Sequence, residues 1–150
     1  MAKSPRLAVL IDGDNISPRY AEGVFNKIAS LGAAKICRVY CDTSHKKSWA
    51  SALEKYHVHR RRIGTPTPGK NSSDIALVID AMDLLHDQKL DGFCVVSSDS
   101  DFARLAVRLR KDEITVYGFG KKNTPLGFQM ACCNFFDVEE LMSPAIPLHA

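Results

Sequence analysis

The chain has five cysteines but no Cys-x-x-Cys pair. That spacing would mark a zinc site or a thioredoxin-like redox pair, and both are excluded. The count is odd, and Cys37, Cys41, Cys94, Cys132 and Cys133 suggest no disulfide framework, which points to a reducing compartment. No Gly-rich phosphate loop is present. No apolar run is long enough for an amino-terminal signal or a membrane span, so we expect a soluble, cytoplasmic protein with no membrane partner. Repeats and low-complexity segments are also missing. Charge of either sign is in short surplus: a formal +3 permits a polyanionic partner without demanding one. What remains is 150 residues, 45% hydrophobic, enough for one domain. A domain of that size buries about two-thirds of its unfolded surface.

Strand-like and helix-like patterns alternate, the signature of repeated β-α units around a parallel sheet. The first strand covers Leu7 to Ile11. Ser17-Pro18 then supplies an N-cap and a first-turn proline for a helix that runs to Gly32. A strand over Lys35 to Cys41 precedes a helix with Trp49, Leu53 and Tyr56 on one side. Val58 to Ile63 is charged on both faces and is expected at a sheet edge. A Thr-Pro loop, a helix from Ser72 to His86, a strand from Phe93 to Ser97 and a helix from Phe102 to Lys111 follow. A strand from Ile114 to Phe119, a short helix near Pro125 to Cys132, an apolar Phe135-Phe136 and a turn through Leu141 complete a domain spanning 1–142. Residues 143–150 are expected to be a tail or the start of a linker.

Carboxylates gather where these strands stop. Asp12 and Asp14 follow the first strand, and Asp99 and Asp101 follow the Phe93 strand. Asp74 opens the long helix. All three groups therefore belong at the carboxyl edge of the sheet, where open α/β sheets bind ligands. Two carboxylates about 4 Å apart repel by roughly 4 kcal/mol at an effective dielectric near 20. Such a cluster needs a proton, a cationic side chain or a metal ion, and we favour a divalent metal. Each acid also has a plainer use. Asp74 suits a capping position after Asn71, Ser100 or Asp101 an N-cap, and Asp12-Gly13-Asp14-Asn15 a polar turn. On the helical wheel Asp74, Leu77, Val78, Ala81 and Leu85 share the face toward the sheet, whereas Asp80, Asp83 and Asp87 point outward.

Three blocks, Ile11-Asp12-Gly13-Asp14-Asn15, Lys70-Asn71-Ser72-Ser73-Asp74 and Val96-Ser97-Ser98-Asp99-Ser100-Asp101-Phe102, resemble the signatures of the NYN domains. These are LabA-like relatives of the PIN-domain ribonucleases. The resemblance spans roughly Leu7 to Leu141. It implies a PIN-like three-layer α/β/α sandwich with a mostly parallel central sheet, and Mg²⁺- or Mn²⁺-dependent hydrolysis of RNA, with a 5′-phosphate and a 3′-hydroxyl as products. Asp12, Asp74, Asp99 and Asp101 match the family's catalytic, metal-binding acids and Asn15 its adjoining polar residue. The family also has an acid at the position of Asp80, kept here as a supporting residue despite its outward placement on the wheel. Hard carboxylate oxygens without His or Cys suit Mg²⁺ or Mn²⁺ better than zinc. Ser97 and Ser98 are placed to orient ligands or the phosphate.

The densest basic region runs from Lys55 to Arg62, with His45, Lys46 and Lys47 nearby. Arg60, Arg61 and Arg62 would track an RNA backbone, or would protect an edge strand from aggregation. Lys70, Lys121 and Lys122 are further candidates for binding phosphate. The expected partner is single-stranded RNA; a homodimer and a further RNA-binding module remain open. Two other readings stand beside the nuclease. One is a non-catalytic RNA-binding or scaffold module. The other is a haloacid-dehalogenase-like phosphatase, which would use Asp12 as nucleophile in Asp12-Gly13-Asp14 but places a hairpin before its first long helix.

Overall fold

Leu7-Ala8-Val9-Leu10-Ile11 is apolar on both sides, and such a strand belongs inside a sheet covered on both faces. The computed structural model describes residues 4–41, 46–61, 72–87 and 89–142 and puts this strand there. It is β1 (Arg6–Asp12), flanked by β2 (Ala33–Tyr40) and β4 (Gly92–Val96). With β3 (His59–Arg61), β5 (Thr115–Gly120) and β6 (Asn134–Asp137), the sheet has the order β3-β2-β1-β4-β5-β6, and every pairing is parallel.

Side chains alternate along β1 and so build two cores. Leu7, Val9 and Ile11 pack with Val24 and Ile28 of α1 (Ala21–Leu31), Trp49 of α2 (Lys46–Lys55) and Val138 of α6 (Val138–Met142). Ala8 and Leu10 pack with Leu77 and Ala81 of α3 (Ser72–Asp87), Leu105 and Leu109 of α4 (Ala103–Lys111) and Phe128 of α5 (Leu126–Ala131). These are the three layers the sequence led us to expect. The chain moves outward from β1 to β3, then returns beside β1 as β4 and moves the other way. Such a reversal opens a crevice beyond the carboxyl ends of β1 and β4.

Three expectations are refined. Ser17 caps a 3₁₀ turn (Pro18–Tyr20), its Oγ accepting the Arg19 N–H at 3.3 Å, before α1 begins. No hairpin stands between β1 and α1, which removes the arrangement a haloacid-dehalogenase-like phosphatase needs. Phe135-Phe136, expected only as an apolar pair, is the middle of a strand, β6, with Phe135 packed on one core and Phe136 on the other. The third is a correction to the helical wheel. The buried stripe of α3 runs through Leu77, Asp80, Ala81 and Leu84, so Asp80 points inward and is only 6% exposed. It is satisfied there by the Tyr40 hydroxyl, which donates to Oδ2 at 2.6 Å, and by the Arg38 guanidinium at 3.1 Å. Asp83 and Asp87 are exposed as the wheel has them. The Thr-Pro loop and residues 143–150 lie outside the described residues. Among those described, no helix is long and apolar enough to cross a membrane.

Candidate active site

β1 must turn abruptly after Asp12, and its neighbours enforce the turn. The Asp12 carbonyl accepts the N–H groups of Asn15 and Ile16 at 3.2 and 3.0 Å. The Gly13 carbonyl accepts the Trp49 indole N–H at 3.1 Å. A Cβ on Gly13 would stand 2.6 Å from Val39 Cγ2, so only glycine lets the turn lie this close to β2. β4 is locked just beyond its end, where the Ser97 N–H donates to the Phe119 carbonyl at 2.8 Å. Asp99 then caps a 3₁₀ turn (Ser100–Phe102), its carboxylate accepting the Asp101 N–H at 2.9 Å. Because Ile11 pairs with Val96, Asp12 and Ser97 are lateral neighbours although 85 residues apart. The first turn of α3 brings in Asp74.

One carboxylate oxygen from each of Asp12, Asp74 and Asp99 lies within 4.8 Å of the others. Asp12 is the buried member, 1% exposed. Its Oδ2 accepts two hydrogen bonds, from the Asn15 amide at 2.7 Å and the Ser97 hydroxyl at 2.8 Å. Its Oδ1 is buried and has no hydrogen-bond partner. Stranding a carboxylate oxygen away from water costs several kcal/mol unless something cationic meets it. Burial, and secondarily the charges of Asp14 and Asp99, push the Asp12 pKa up despite its two donors. Asp74 is raised from 3.8 to about 7, by burial first, then by a hydrogen bond with Asp99 and by the charges of Asp12, Asp99 and Asp101. Asp12 and Asp74 therefore hold a proton more readily than ordinary carboxylates do, or the trio accepts a hard cation in its place. Its all-oxygen donor set and the unpartnered Oδ1 fit Mg²⁺ or Mn²⁺.

Asp101 is exposed and outside the group of three, yet close enough for its charge to raise the Asp74 pKa. The Ser97 hydroxyl, besides donating to Asp12, accepts the Asp99 N–H at 3.0 Å and so links the two acids. Ser98 Oγ accepts the Lys121 N–H at 2.8 Å, tying the loop after β4 to the loop after β5. Lys121 is half-buried and Lys122 exposed, both on this edge of the sheet. Arg60 and Arg61 lie on the edge strand β3, where Arg61 pairs with Tyr40 and Tyr40 with Asp12, two strands away. Lys70 and Arg62 fall outside the described residues. Sequence reasoning overlooked Arg38 and Tyr40, the partners of Asp80. The available signal was Tyr40 itself, a polar-tipped residue ending a buried strand level with Asp12.

The family model of the NYN domain matches residues 6–139. No curated protein matches the chain. Among solved structures, a protein of unknown function from Vibrio parahaemolyticus RIMD 2210633 is similar with a TM-score of 0.71. The match covers 94% of this chain and 97% of that one at 17% identity, a likeness of fold.

Proposed function

This chain belongs to the NYN domain family, and from that membership we propose that it is a metal-dependent ribonuclease. Asp12, Asp74 and Asp99 would hold the Mg²⁺ or Mn²⁺, with Asp101 contributing through water. When bound, such an ion supplies a hydroxide-like water and offsets charge on the phosphate under attack. Asn15 and Ser97 fix Asp12 by its Oδ2 and leave Oδ1 as a free acceptor. Ser97 also orders Asp99, so one hydroxyl aligns two acids. Ser98 holds the loop carrying Lys121 and Lys122, whose ammonium groups would contact the RNA backbone. Arg60 and Arg61 of β3 would extend that grip, as would Lys70 and Arg62 as read from the sequence. Asp80 supports α3 from beneath through Tyr40 and Arg38. An open sheet edge suits a single-stranded RNA running through it, cut internally to leave a 5′-phosphate and a 3′-hydroxyl. Unpaired cysteines, four of five buried, fit a cytoplasmic setting.

The observation that carries this reading is the buried, unpartnered Oδ1 of Asp12 within a carboxylate trio. The test is cleavage of end-labelled single-stranded RNA by the wild type and Asp12→Asn with Mn²⁺, with Mg²⁺ and with EDTA. Asp12→Asn keeps the shape but removes the ligand charge, so cutting should need metal and be lost in the variant, whose fold remains intact. RNA that is bound in a salt-sensitive way but left whole with either metal would replace the nuclease by a binding module.

A further inference from the structure

Ile75 and Ile79 lie one turn apart on α3, 58% and 56% exposed. The helix packs on the sheet through its other face, so neither side chain is needed for the core. With Val78 and Phe102 they line an open groove of about 280 Å³ whose polar walls are the acids Asp74 and Asp101. Asp74 is at once a member of the carboxylate trio and a wall of this groove. A phosphate held at the trio would therefore stand beside this aliphatic floor.

Resting on the ribonuclease reading, we infer that this groove is a nucleobase subsite, taking the base of a nucleotide that adjoins the scissile phosphate. A base has apolar faces and polar edges. Its face can lie on Ile75, Val78 and Ile79 while its edge stays in water at the open side. Burial of apolar surface is non-directional, so an aliphatic floor accepts the face of any of the four bases and grips RNA without reading its sequence. A protein partner fits the surface less well. It would cover Asp74 and close the trio to substrate, and the groove's six residues fall far short of the roughly 20–30 per side of a stable interface.

The test uses the full chain with Mn²⁺ and a short single-stranded RNA cut at one site. An abasic nucleotide is placed in turn at each position around that site. Wild type is compared with the double variant Ile75→Ser/Ile79→Ser and with Leu126→Ser, a control on α5 that is 65% exposed. Removing the apolar floor takes away the aliphatic surface that the base covers and should raise KM about tenfold in the double variant with kcat little changed. An abasic nucleotide at one adjoining position should cost the wild type about the same and cost the double variant nothing more. Leu126→Ser should behave as wild type. An unchanged KM in the double variant, or losses that simply add, would overturn the subsite and leave the ribonuclease standing. A change in oligomeric state on light scattering with KM unmoved would also overturn it, assigning the groove to a second copy of the chain. A wild type that neither cuts nor binds the RNA would overturn both readings together.

Discussion

Replacing Asp74 by Asn removes a charge that the metal-free fold holds under strain. The Asp74 carboxyl titrates at about 7 instead of its ordinary 3.8. A carboxyl whose folded pKa is raised binds its proton more tightly in the native state. Its stabilising effect is therefore complete below the unfolded value and is lost as pH rises through the folded one. Here the window runs from about 4 to about 7. The whole shift would correspond to about 4 kcal/mol at 1.36 kcal/mol per unit. Asp74 is only partly buried, and screening by water reduces this to on the order of 1–2 kcal/mol. Asn has the same outline and donates an N–H toward Asp99, imitating the protonated acid without titrating. The assay is thermal unfolding in EDTA from about pH 5 to about pH 8, with wild type and Asp74→Asn side by side. Across that interval the wild type should lose roughly 2–8 °C in Tm relative to the variant, the equivalent of 1–2 kcal/mol in a chain of this size. Mn²⁺ added at the alkaline end should raise the wild-type Tm and move the variant far less. Parallel pH profiles, or a variant less stable than wild type at the alkaline end without metal, would refute the reasoning.

Tyr40→Phe deletes the hydroxyl that donates to buried Asp80 at 2.6 Å. Urea unfolding should show a loss of about 1–3 kcal/mol while metal-dependent cleavage per folded molecule stays the same. Gly120→Ala puts a Cβ 2.6 Å from the Ser97 carbonyl and from Thr124 Oγ1, and 3.0 Å from Ser98 Oγ. Overpacking there should cost about 1–3 kcal/mol and lower cleavage as well, because Ser97 aligns Asp12 and Asp99; both are read from one preparation. Lys121→Ala with Lys122→Ala should weaken RNA binding and flatten its dependence on salt, by about 0.7 in the logarithmic slope for each phosphate no longer neutralised. An unchanged slope would take these lysines off the RNA path.

The sheet and the position of the acids were legible because both follow from local pattern. Uninterrupted apolar runs at Leu7–Ile11 and Phe93–Val96 mark central strands, and an acid directly after such a run falls at its carboxyl end. Asp80 was misread because hydropathy assigns a mid-helix aspartate to solvent. The residues that reverse this, Arg38 and Tyr40, are 42 and 40 positions away and act only once β2 and α3 are packed. β6 was missed because four residues are too few to display an alternation, and pairing with β5 creates the strand. The contrast between Asp99 and Asp101 is equally a product of folding. Both carry the same side chain two positions apart, but only the 3₁₀ turn decides that Asp99 caps and joins the trio while Asp101 stays exposed.

The return of the chain to lay β4 beside β1 has a consequence for when the cluster comes into being. Asp12 leaves the ribosome long before Asp74, and Asp99 last of the three. No amino-terminal fragment ending before Asp99 can hold a complete set. The like charges of Asp12 and Asp99 meet only when the long loop between Asp12 and Ser97 closes, so their repulsion opposes that closure. On the ribonuclease reading, a half-made or half-folded chain would lack the complete acid set and leave nearby RNA whole, and competence would arrive only with the finished sheet.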